Sequence, residues 1–424
     1  MSFHRFVALP GTACLAGFVA APSAQAQAPK LDVLTLQEAF ARAMSYDPGV
    51  RASAQAGVAA DAAVRQADRQ PNPTLEAMTE NFGGPSYYQW GNRSETTFSL
   101  SQKLELGGDR EARTRLAERD AAAIRSGGEA VRQELLYEIE LAYVDAQKTG
   151  AELGAAEARL AVAQEILVTV DRRVEAARDP LMAGARSRTS LVDAQITLGR
   201  ATQANAAAKA RLASYWLGSG DFAVNLASFA TVDAAPHSID PSTNPALARS
   251  TALQQRAEAA IGVERARAKQ DPTLSAGVRL FNDVDEAAFV VGISIPLGIF
   301  DNNSAAIGRA GAQNRQARLE TEALRRLLER EAASARSQIE IARSEIEALD
   351  GRLLPSAEES VARAREGYEQ GGFSYLDVLD AQRVLGEARL QRISALHSFH
   401  RAHAALARLT GAYAEAAQSQ ETPR

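Results

Sequence analysis

The hydrophobic positions of the chain follow two periods, one typical of helices and one typical of strands. In the longest helical stretch, apolar residues recur every seven positions, and a second small apolar residue follows three positions after each. The first set is Leu153, Leu160, Leu167 and Val174, and the second set is Ala156, Ala163, Val170 and Ala177. This heptad pattern predicts coiled-coil helices, which pack closely because alanine leaves little side chain between them.

Shorter stretches alternate apolar and polar residues, which predicts strands with one apolar face. Two β-hairpins follow from this alternation, at about 73–106 and about 273–297. Each strand has about 9–11 residues, the length of a strand that crosses a bilayer in a β-barrel. The four strands of one chain cannot close a barrel, so several chains would have to share it.

The chain contains an internal duplication. Gly184 and Ser187 recur as Gly371 and Ser374, and an Asp-Ala-Gln triplet begins nine residues after each glycine. In both copies the Gly-x-x-Ser motif lies between helical stretches, so it predicts a tight turn that joins two antiparallel helices. Each half is therefore predicted as helix, hairpin, long helix, turn and helix.

The duplication also sets the domain boundaries that we expect. They are a signal peptide at 1–26, a first repeat at 27–217 with its turn at 184–187, a connector at 218–243, a second repeat at 244–412 with its turn at 371–374, and a flexible tail at 413–424.

The first residues have the pattern of a secretory signal. His4 and Arg5 precede an apolar run at 6–21, and Ala24-Gln25-Ala26 offers a small-x-small cleavage site. We therefore expect the protein to leave the cytoplasm. Lipidation of Cys14 is the alternative, although the residues before it form a poor lipobox.

Composition excludes several classes of function. The chain of 424 residues has a formal net charge of −5, which does not favour a nucleic-acid partner. Its one cysteine rules out a disulfide framework and a cysteine metal cluster. No sequence motif of a hydrolase is present, and no cofactor is expected. We therefore do not expect an enzyme.

With the repeat, hairpins and turns in place, the chain resembles the bacterial outer-membrane efflux channels of the TolC family. The most specific segments are the Gly-x-x-Ser turns and the run 376–381. The stretch 102–110, together with Arg113, is most similar to the heavy-metal, CzcC-like branch of that family.

The resemblance implies a mainly α fold with a small β part. A homotrimer would place twelve strands in one outer-membrane barrel, surrounded by lipid, and its helices would continue as a tunnel across the periplasm. The implied partners are a periplasmic adaptor protein and an inner-membrane pump of the resistance-nodulation-division type. Heavy-metal cations are the favoured cargo, with drugs or secreted proteins as the alternative.

The resemblance also assigns roles to the turns. It implies that the turns contact the adaptor, through Gly184, Ser187, Gly371, Gly372, Phe373 and Ser374. The alternative is that these are ordinary turn residues, with glycine for backbone shape and serine as a helix cap. Both roles are compatible at one position.

Aspartates beyond the turns are the expected gate of the tunnel. Family likeness implies that Asp377 and Asp380 narrow the tunnel, and Asp193 is the counterpart of Asp380 in the first repeat. Three copies would place rings of carboxylates that attract cations and repel anions. For Asp377, stabilisation of a helix N-terminus is an equally good interpretation, since Ser374 and Asp377 have the spacing of a capping box.

Three histidines invite a metal-site interpretation. His397, His400 and His403 are spaced three apart, but on a helix the first and the last diverge by about 120°. Packed or tunnel-facing imidazoles are the better prediction, and no metal site is assigned.

A second class of protein also fits part of the sequence. A soluble periplasmic coiled-coil adaptor or scaffold would have the same heptads and signal segment. It would not need four strands with one apolar face, which favours the channel.

Overall fold

The computed structural model describes residues 33–85, 88, 91–233 and 240–413. The expected signal segment, Cys14 and all but the first residue of the expected tail lie outside these residues. Within them the protein is mainly helical with a small β part, as the sequence predicts.

The first half contains three short elements, a hairpin and two long helices. They are β1 (Val33–Leu34), α1 (Leu36–Tyr46), α2 (Pro48–Ala67), β2 (Thr74–Glu80), β3 (Glu95–Lys103), α3 (Asp109–Glu175) and α4 (Leu181–Ser214). Asp47 separates α1 from α2 because its side chain caps the second helix, and Pro48 fills the first position, where no N–H is needed.

The connector carries β4 (Ala223–Val224) and α5 (Leu226–Ala230), and β4 pairs in parallel with β1. The second half then repeats the layout of the first. Its elements are α6 (Pro245–Arg267), β5 (Thr273–Phe281), β6 (Glu286–Ser294), α7 (Ser304–Ala348), α8 (Leu354–Glu369) and α9 (Tyr375–Thr410).

The two hairpins form one antiparallel sheet in the order β2-β3-β5-β6. One face is apolar across all four strands, and one of its rows consists of Ala77, Phe98, Val278 and Phe289. The opposite face is mostly polar. Its central side chain, Arg279, donates to Thr97 at 3.0 Å and to Glu95 at 3.1 Å. The sheet is therefore suited to lipid on one face and water on the other.

The long helices pack through small residues. In α3, Ala156, Ala163 and Val170 are buried, whereas the leucines of the heptad are only partly covered. The second heptad position therefore faces the neighbouring helices, which agrees with the prediction of close packing. Among the helices that the structure describes, none is both long and apolar enough to span a membrane.

The long helix of the second half, which the sequence predicts, changes its helical geometry part-way along. A π-helical segment, Leu349–Leu353, separates α7 from α8. Pro355 follows it at the start of α8. Proline has no N–H and crowds the preceding turn, and a widened π turn accommodates both effects.

Candidate functional site: the paired helical turns

The first turn lies earlier in the chain than predicted. α3 ends at Glu175, and residues 176–180 form the turn, with Ala177 in the left-handed region at φ 54°. Gly184 and Ser187, which were expected in the turn, are buried within the first turns of α4, where the Ser187 hydroxyl donates to the Gly184 carbonyl. The prediction was wrong because Pro180 already starts the helix at Leu181.

The second turn has the predicted position and geometry. Gly371 adopts φ 80°, and the N–H groups of Gly372 and Phe373 donate to the carbonyl of Gly367. Ser374 then caps α9, as predicted, and its backbone N–H and hydroxyl donate to the Asp377 carboxylate at 2.8 and 2.7 Å. The second Gly-x-x-Ser is thus a helix stop followed by a capping box.

Side chains from both turns meet in one cluster. Arg173 donates to Asp179 at 3.0 Å and to the backbone carbonyl of Glu369 at 3.4 Å. The Tyr368 hydroxyl donates to the same Asp179 carboxylate, and the Arg173 guanidinium lies 4.4 Å from the centre of the Tyr368 ring. We call Arg173, Asp179 and Tyr368 the turn latch, because they connect the α3–α4 turn to the α8–α9 turn.

Burial and contact shift the pKa values of the latch. Burial alone raises the pKa of Asp179, but the hydrogen bonds from Arg173 and Tyr368 outweigh it and hold the pKa below the usual 3.8. Burial and the Asp179 carboxylate raise the pKa of Tyr368 above its usual 10.0. The latch therefore contains an ionised carboxylate and a protonated tyrosine at neutral pH.

Sequence reasoning missed the turn latch. In the sequence, Asp179 is only the residue before a proline, and Arg173 and Tyr368 lie on helices that are far apart in the chain. The one signal in the sequence is that Arg173 and Tyr368 lie in the last turns of the helices that precede the two turns. Their contact depends on how the hairpins pack.

Apolar side chains are exposed beside the latch. Leu181 and Met182 begin α4 and are 82% and 60% exposed, and Leu376 in the first turn of α9 is 55% exposed. Phe373 is half exposed, and its ring lies over Gly367, which has no side chain to obstruct it. We call these four exposed residues the apolar turn patch.

Each of the three aspartates that were expected to form the gate has a local partner. Asp193 on α4 pairs with Arg159 on α3 at 2.5 Å, and Asp380 pairs with Arg383 at 2.9 Å. Asp377 is engaged by Ser374, and the hydrogen bonds from the Ser374 hydroxyl and N–H lower its pKa. The capping interpretation of Asp377 is therefore confirmed, and its carboxylate also remains exposed.

The three histidine side chains each contact a different partner and do not converge on one site. The Nε2 atom of His397 lies 2.7 Å from Asp145, and that of His400 lies 2.9 Å from the Phe229 carbonyl. The His403 ring stacks on Phe399, and burial lowers the pKa values of His400 and His403. Among the described residues, no group of three or more His, Cys, Asp or Glu side chains could hold a metal ion.

Comparison with known families identifies the chain. A model of the outer membrane efflux protein family matches residues 40–217 and 242–412, which is most of the chain. The chain belongs to this family. The two matched blocks correspond to the two halves that share the helix, hairpin and long-helix layout.

Curated relatives of this efflux protein are heavy-metal resistance proteins. It is 28% identical over 389 residues to the cobalt-zinc-cadmium resistance protein CzcC of Cupriavidus metallidurans, covering 89% of this chain and 90% of that protein. It is 31% identical to the nickel and cobalt resistance protein CnrC of the same species, covering 73% of each.

Solved structures show the same fold for this efflux protein. Crystal structures of CusC match with a TM-score of 0.74 at 20% identity, covering 92% of this chain and 95% of that one. VceC of Vibrio cholerae matches with a TM-score of 0.72 at 18% identity, covering 89% and 96%. Because the chain belongs to the outer membrane efflux protein family, it is an outer-membrane efflux channel component that extends into the periplasm, and the soluble-adaptor alternative is wrong.

Proposed function

We propose that three copies of this chain form one channel that carries heavy-metal cations out of the cell. Each copy contributes four strands to a shared twelve-stranded barrel in the outer membrane, and the long helices form the periplasmic tunnel. The protein is a passive conduit and catalyses no reaction. Its partners are a periplasmic adaptor and an inner-membrane pump of the resistance-nodulation-division type.

The observation that carries the proposal is the four-stranded sheet with one apolar face. Its strands have 7 or 9 residues, and both edge strands lack partners in the described chain. Strands of this length in a bilayer require a closed ring, and one chain does not supply enough strands to make it. Several copies together would supply enough strands to close the ring.

The cargo follows from the relatives rather than from a binding site. Curated relatives of this chain are named as resistance proteins for cobalt, zinc, cadmium or nickel. Divalent cations suit a tunnel that carries Asp377 and Asp380 near its periplasmic end, because rings of carboxylates favour cations. Drugs and secreted proteins remain the alternative cargo.

The adaptor contact is best supported at the turns. The geometry favours the exposed apolar turn patch together with Gly371, Gly372 and Ser374, which shape the second turn. Gly184 and Ser187 act from inside α4, since both are buried and set its packing. An exposed apolar patch at the end of a helical bundle is typical of a protein-binding surface.

Assembly is tested by expressing the full chain, washing the outer membranes with urea and sizing the detergent extract. We expect a urea-resistant species with the mass of three chains, because barrel strands cannot leave the bilayer one copy at a time. A soluble periplasmic protein or a single-chain extract would contradict the proposal.

Cargo is tested separately in a strain that lacks the chain. We expect reduced tolerance to Co²⁺, Zn²⁺ and Cd²⁺, unchanged tolerance to organic drugs, and recovery when the intact chain is restored. Sensitivity to drugs with normal tolerance to the metals would assign the alternative cargo.

A further inference from the structure

A cavity of about 310 Å³ lies in the groove between α3, α4 and α9. α3 contributes most of its lining, and the small side chains of Ala142 and Ala208 leave the space open. The remaining lining is polar or charged and consists of Asp145, Lys148, Thr149, Arg211 and His397. The volume is at the small end of the range of ligand pockets, so the cavity fits a small ion better than a drug-sized molecule.

We propose that this cavity binds an oxyanion that carries two negative charges, and we call it the anion pocket. Inorganic phosphate is the simplest ligand of this class. None of the aspartates expected to form the gate lines the anion pocket. The inference rests on the proposed function for its placement in the tunnel, whereas the pocket itself is formed by residues of one chain.

Several basic groups share one carboxylate in the anion pocket. The Asp145 carboxylate lies 2.7 Å from Nε2 of His397 and 3.3 Å from the Arg401 guanidinium. The Arg211 guanidinium lies 3.9 Å from the same carboxylate, which is too far for a hydrogen bond, and its side chain is 70% exposed. The N–H groups of Arg211 therefore remain available to a ligand in the cavity.

The same contacts keep Asp145 ionised. The hydrogen bond from His397 and the positive charges of Arg401 and Arg211 lower the pKa of Asp145, although burial opposes them. An ionised carboxylate can only accept hydrogen bonds, so Nε2 of His397 carries a proton and donates it. The acidic group in the pocket is thus fully engaged by groups that are donors.

The donors around the cavity have the chemistry that binds oxyanions. Arg211 offers a planar fork of N–H groups from α4, and Lys148 offers a compact positive charge from α3. Charge-assisted hydrogen bonds from such groups to phosphate oxygens are short and strong. Lys148 also pairs with Glu152 at 3.5 Å, which holds it beside the cavity. A cation would be repelled by the same groups.

The anion pocket opens on the face of the helices that is turned away from the connector. On α3, Tyr143 and Gln147 contact the connector, where both hydrogen-bond to the backbone of Asn225 at 3.3 and 2.6 Å. Asp145 lies two residues from each of them, which is about 200° around an α-helix. Because connectors inside a tunnel would block it, the proposed trimer places them outside. The pocket therefore faces the water of the tunnel.

A bound oxyanion would change the charge of the tunnel wall. The empty pockets of three copies present guanidinium and ammonium groups, which oppose the passage of divalent cations. A dianion adds two negative charges to each pocket, and rings of negative charge favour cations. We therefore expect phosphate to increase the cation preference of the channel.

Calorimetric titration of the full chain in detergent with sodium phosphate tests the anion pocket, with sodium chloride at equal ionic strength as the reference. Arg211→Gln, alone and with Lys148→Gln, should weaken phosphate binding at least about tenfold, because charge-assisted contacts are lost. The matched control is Arg200→Gln. Arg200 is exposed on α4 three helical turns before Arg211 and on the same face, so its loss should leave the affinity unchanged.

Asp145→Asn provides a test with the opposite sign. The carboxylate repels an anion in the cavity and competes with it for the same donors, whereas the amide carries no charge. We therefore expect this variant to bind phosphate at least about fivefold more tightly. Damage to the packing would weaken binding and could not produce this gain. Unchanged or weaker binding would contradict the role of these donors.

Reversal potentials of single channels test the placement of the pocket in the tunnel. Phosphate should shift the reversal potential of the intact trimer towards cation preference. It should have no such effect on the trimer with Arg211→Gln and Lys148→Gln. Binding of phosphate by the intact trimer without any shift would contradict the placement.

The outcomes separate this inference from the channel proposal. No phosphate binding by the intact chain, or equal binding by the variant with both substitutions, would overturn the anion pocket and leave the channel proposal intact. An extract that contains only single chains would contradict the shared tunnel. The calorimetric comparison would still decide whether the pocket binds phosphate, because one chain supplies all of its residues.

Discussion

Asp179 is the residue on which the contact between the two helical turns depends. Its carboxylate is 11% exposed and accepts hydrogen bonds from Arg173 in its own turn and from Tyr368 in the other turn. Hydrogen bonds to a charged group that is shielded from water are stronger than those between neutral groups. This carboxylate thus connects the α3–α4 hairpin to the α8–α9 hairpin at their turns, beside the apolar cluster that packs the same helices together.

Tyr368→Phe should loosen the turn latch. The change removes the hydroxyl that donates to Asp179 and leaves the ring in place. The hydrogen bond from Tyr368 to Asp179 is therefore the only contact that is lost. We expect a loss of about 1.5–3 kcal/mol, which is roughly a 10- to 150-fold faster opening of this end. Hydrogen exchange of the amides at 366–374 in the assembled protein measures it.

Tyr375→Phe is the matched control for this prediction. Tyr375 packs against Tyr368 with ring centroids 6.1 Å apart, but its hydroxyl makes no hydrogen bond to any described residue. Exchange in this variant should stay near that of the unmodified chain. Equal effects of the two substitutions would show that packing, and not the hydrogen bond to Asp179, holds the turns together.

At the scale of elements, the two turns end one helix and begin the next by different means. The first uses Asp179 and Pro180 to end one helix and start the next, whereas the second uses a left-handed glycine and a capping box. The duplicated Gly-x-x-Ser motif therefore has two structural roles. It forms a turn in the second repeat and packs inside a helix in the first.

Gly371→Ala should destabilise the second turn. Gly371 has φ 80°, a conformation that costs an L-residue with a Cβ atom roughly 1–2 kcal/mol. We expect faster hydrogen exchange and easier proteolysis at 369–375, without loss of the barrel. Gly372→Ala is the control, since Gly372 lies outside the left-handed region and its nearest contact would be an ordinary 3.7 Å. A larger effect at Gly372 would contradict this account.

At the scale of the whole molecule, the carboxylates beyond the second turn would affect ion passage only when several copies of the chain place them around one axis. A single copy places Asp377 and Asp380 about one helical turn apart on the surface of α9. Both have local partners, so one copy provides little field. Three copies around one axis would add their charges where the tunnel is narrow.

Asp377→Asn combined with Asp380→Asn should reduce cation preference in single-channel recordings, because the change removes six negative charges from a trimer. Asparagine keeps an oxygen acceptor for Ser374, and Arg383 keeps its contact with Glu387 at 2.9 Å. Assembly should therefore be unaffected.

The control for charge is Asp61→Asn on α2, which removes the same type of charge from the pair with Arg125, far along the chain from the turns. Its ion selectivity should match that of the unmodified channel. Unchanged selectivity in an assembled Asp377 and Asp380 double variant would contradict the gate assignment.

Local patterns in the sequence are enough to predict many of the elements of this protein. The alternation of apolar residues predicts the hairpins, and the heptads with alanine predict the close-packed helices. Gly371 and Ser374 predict the second turn. Each of these signals acts between residues near one another in the chain, where backbone preference and periodicity decide the outcome. The duplication then predicted the order of the elements.

Tertiary structure decided what connects distant segments. The turn latch and the separate partners of the three histidines depend on how α3, α4, α5, α8 and α9 pack. The joining of the two hairpins into one sheet likewise depends on the β3–β5 pairing across the chain. No local pattern encodes these contacts, because their energy arises only when surfaces far apart in sequence come together.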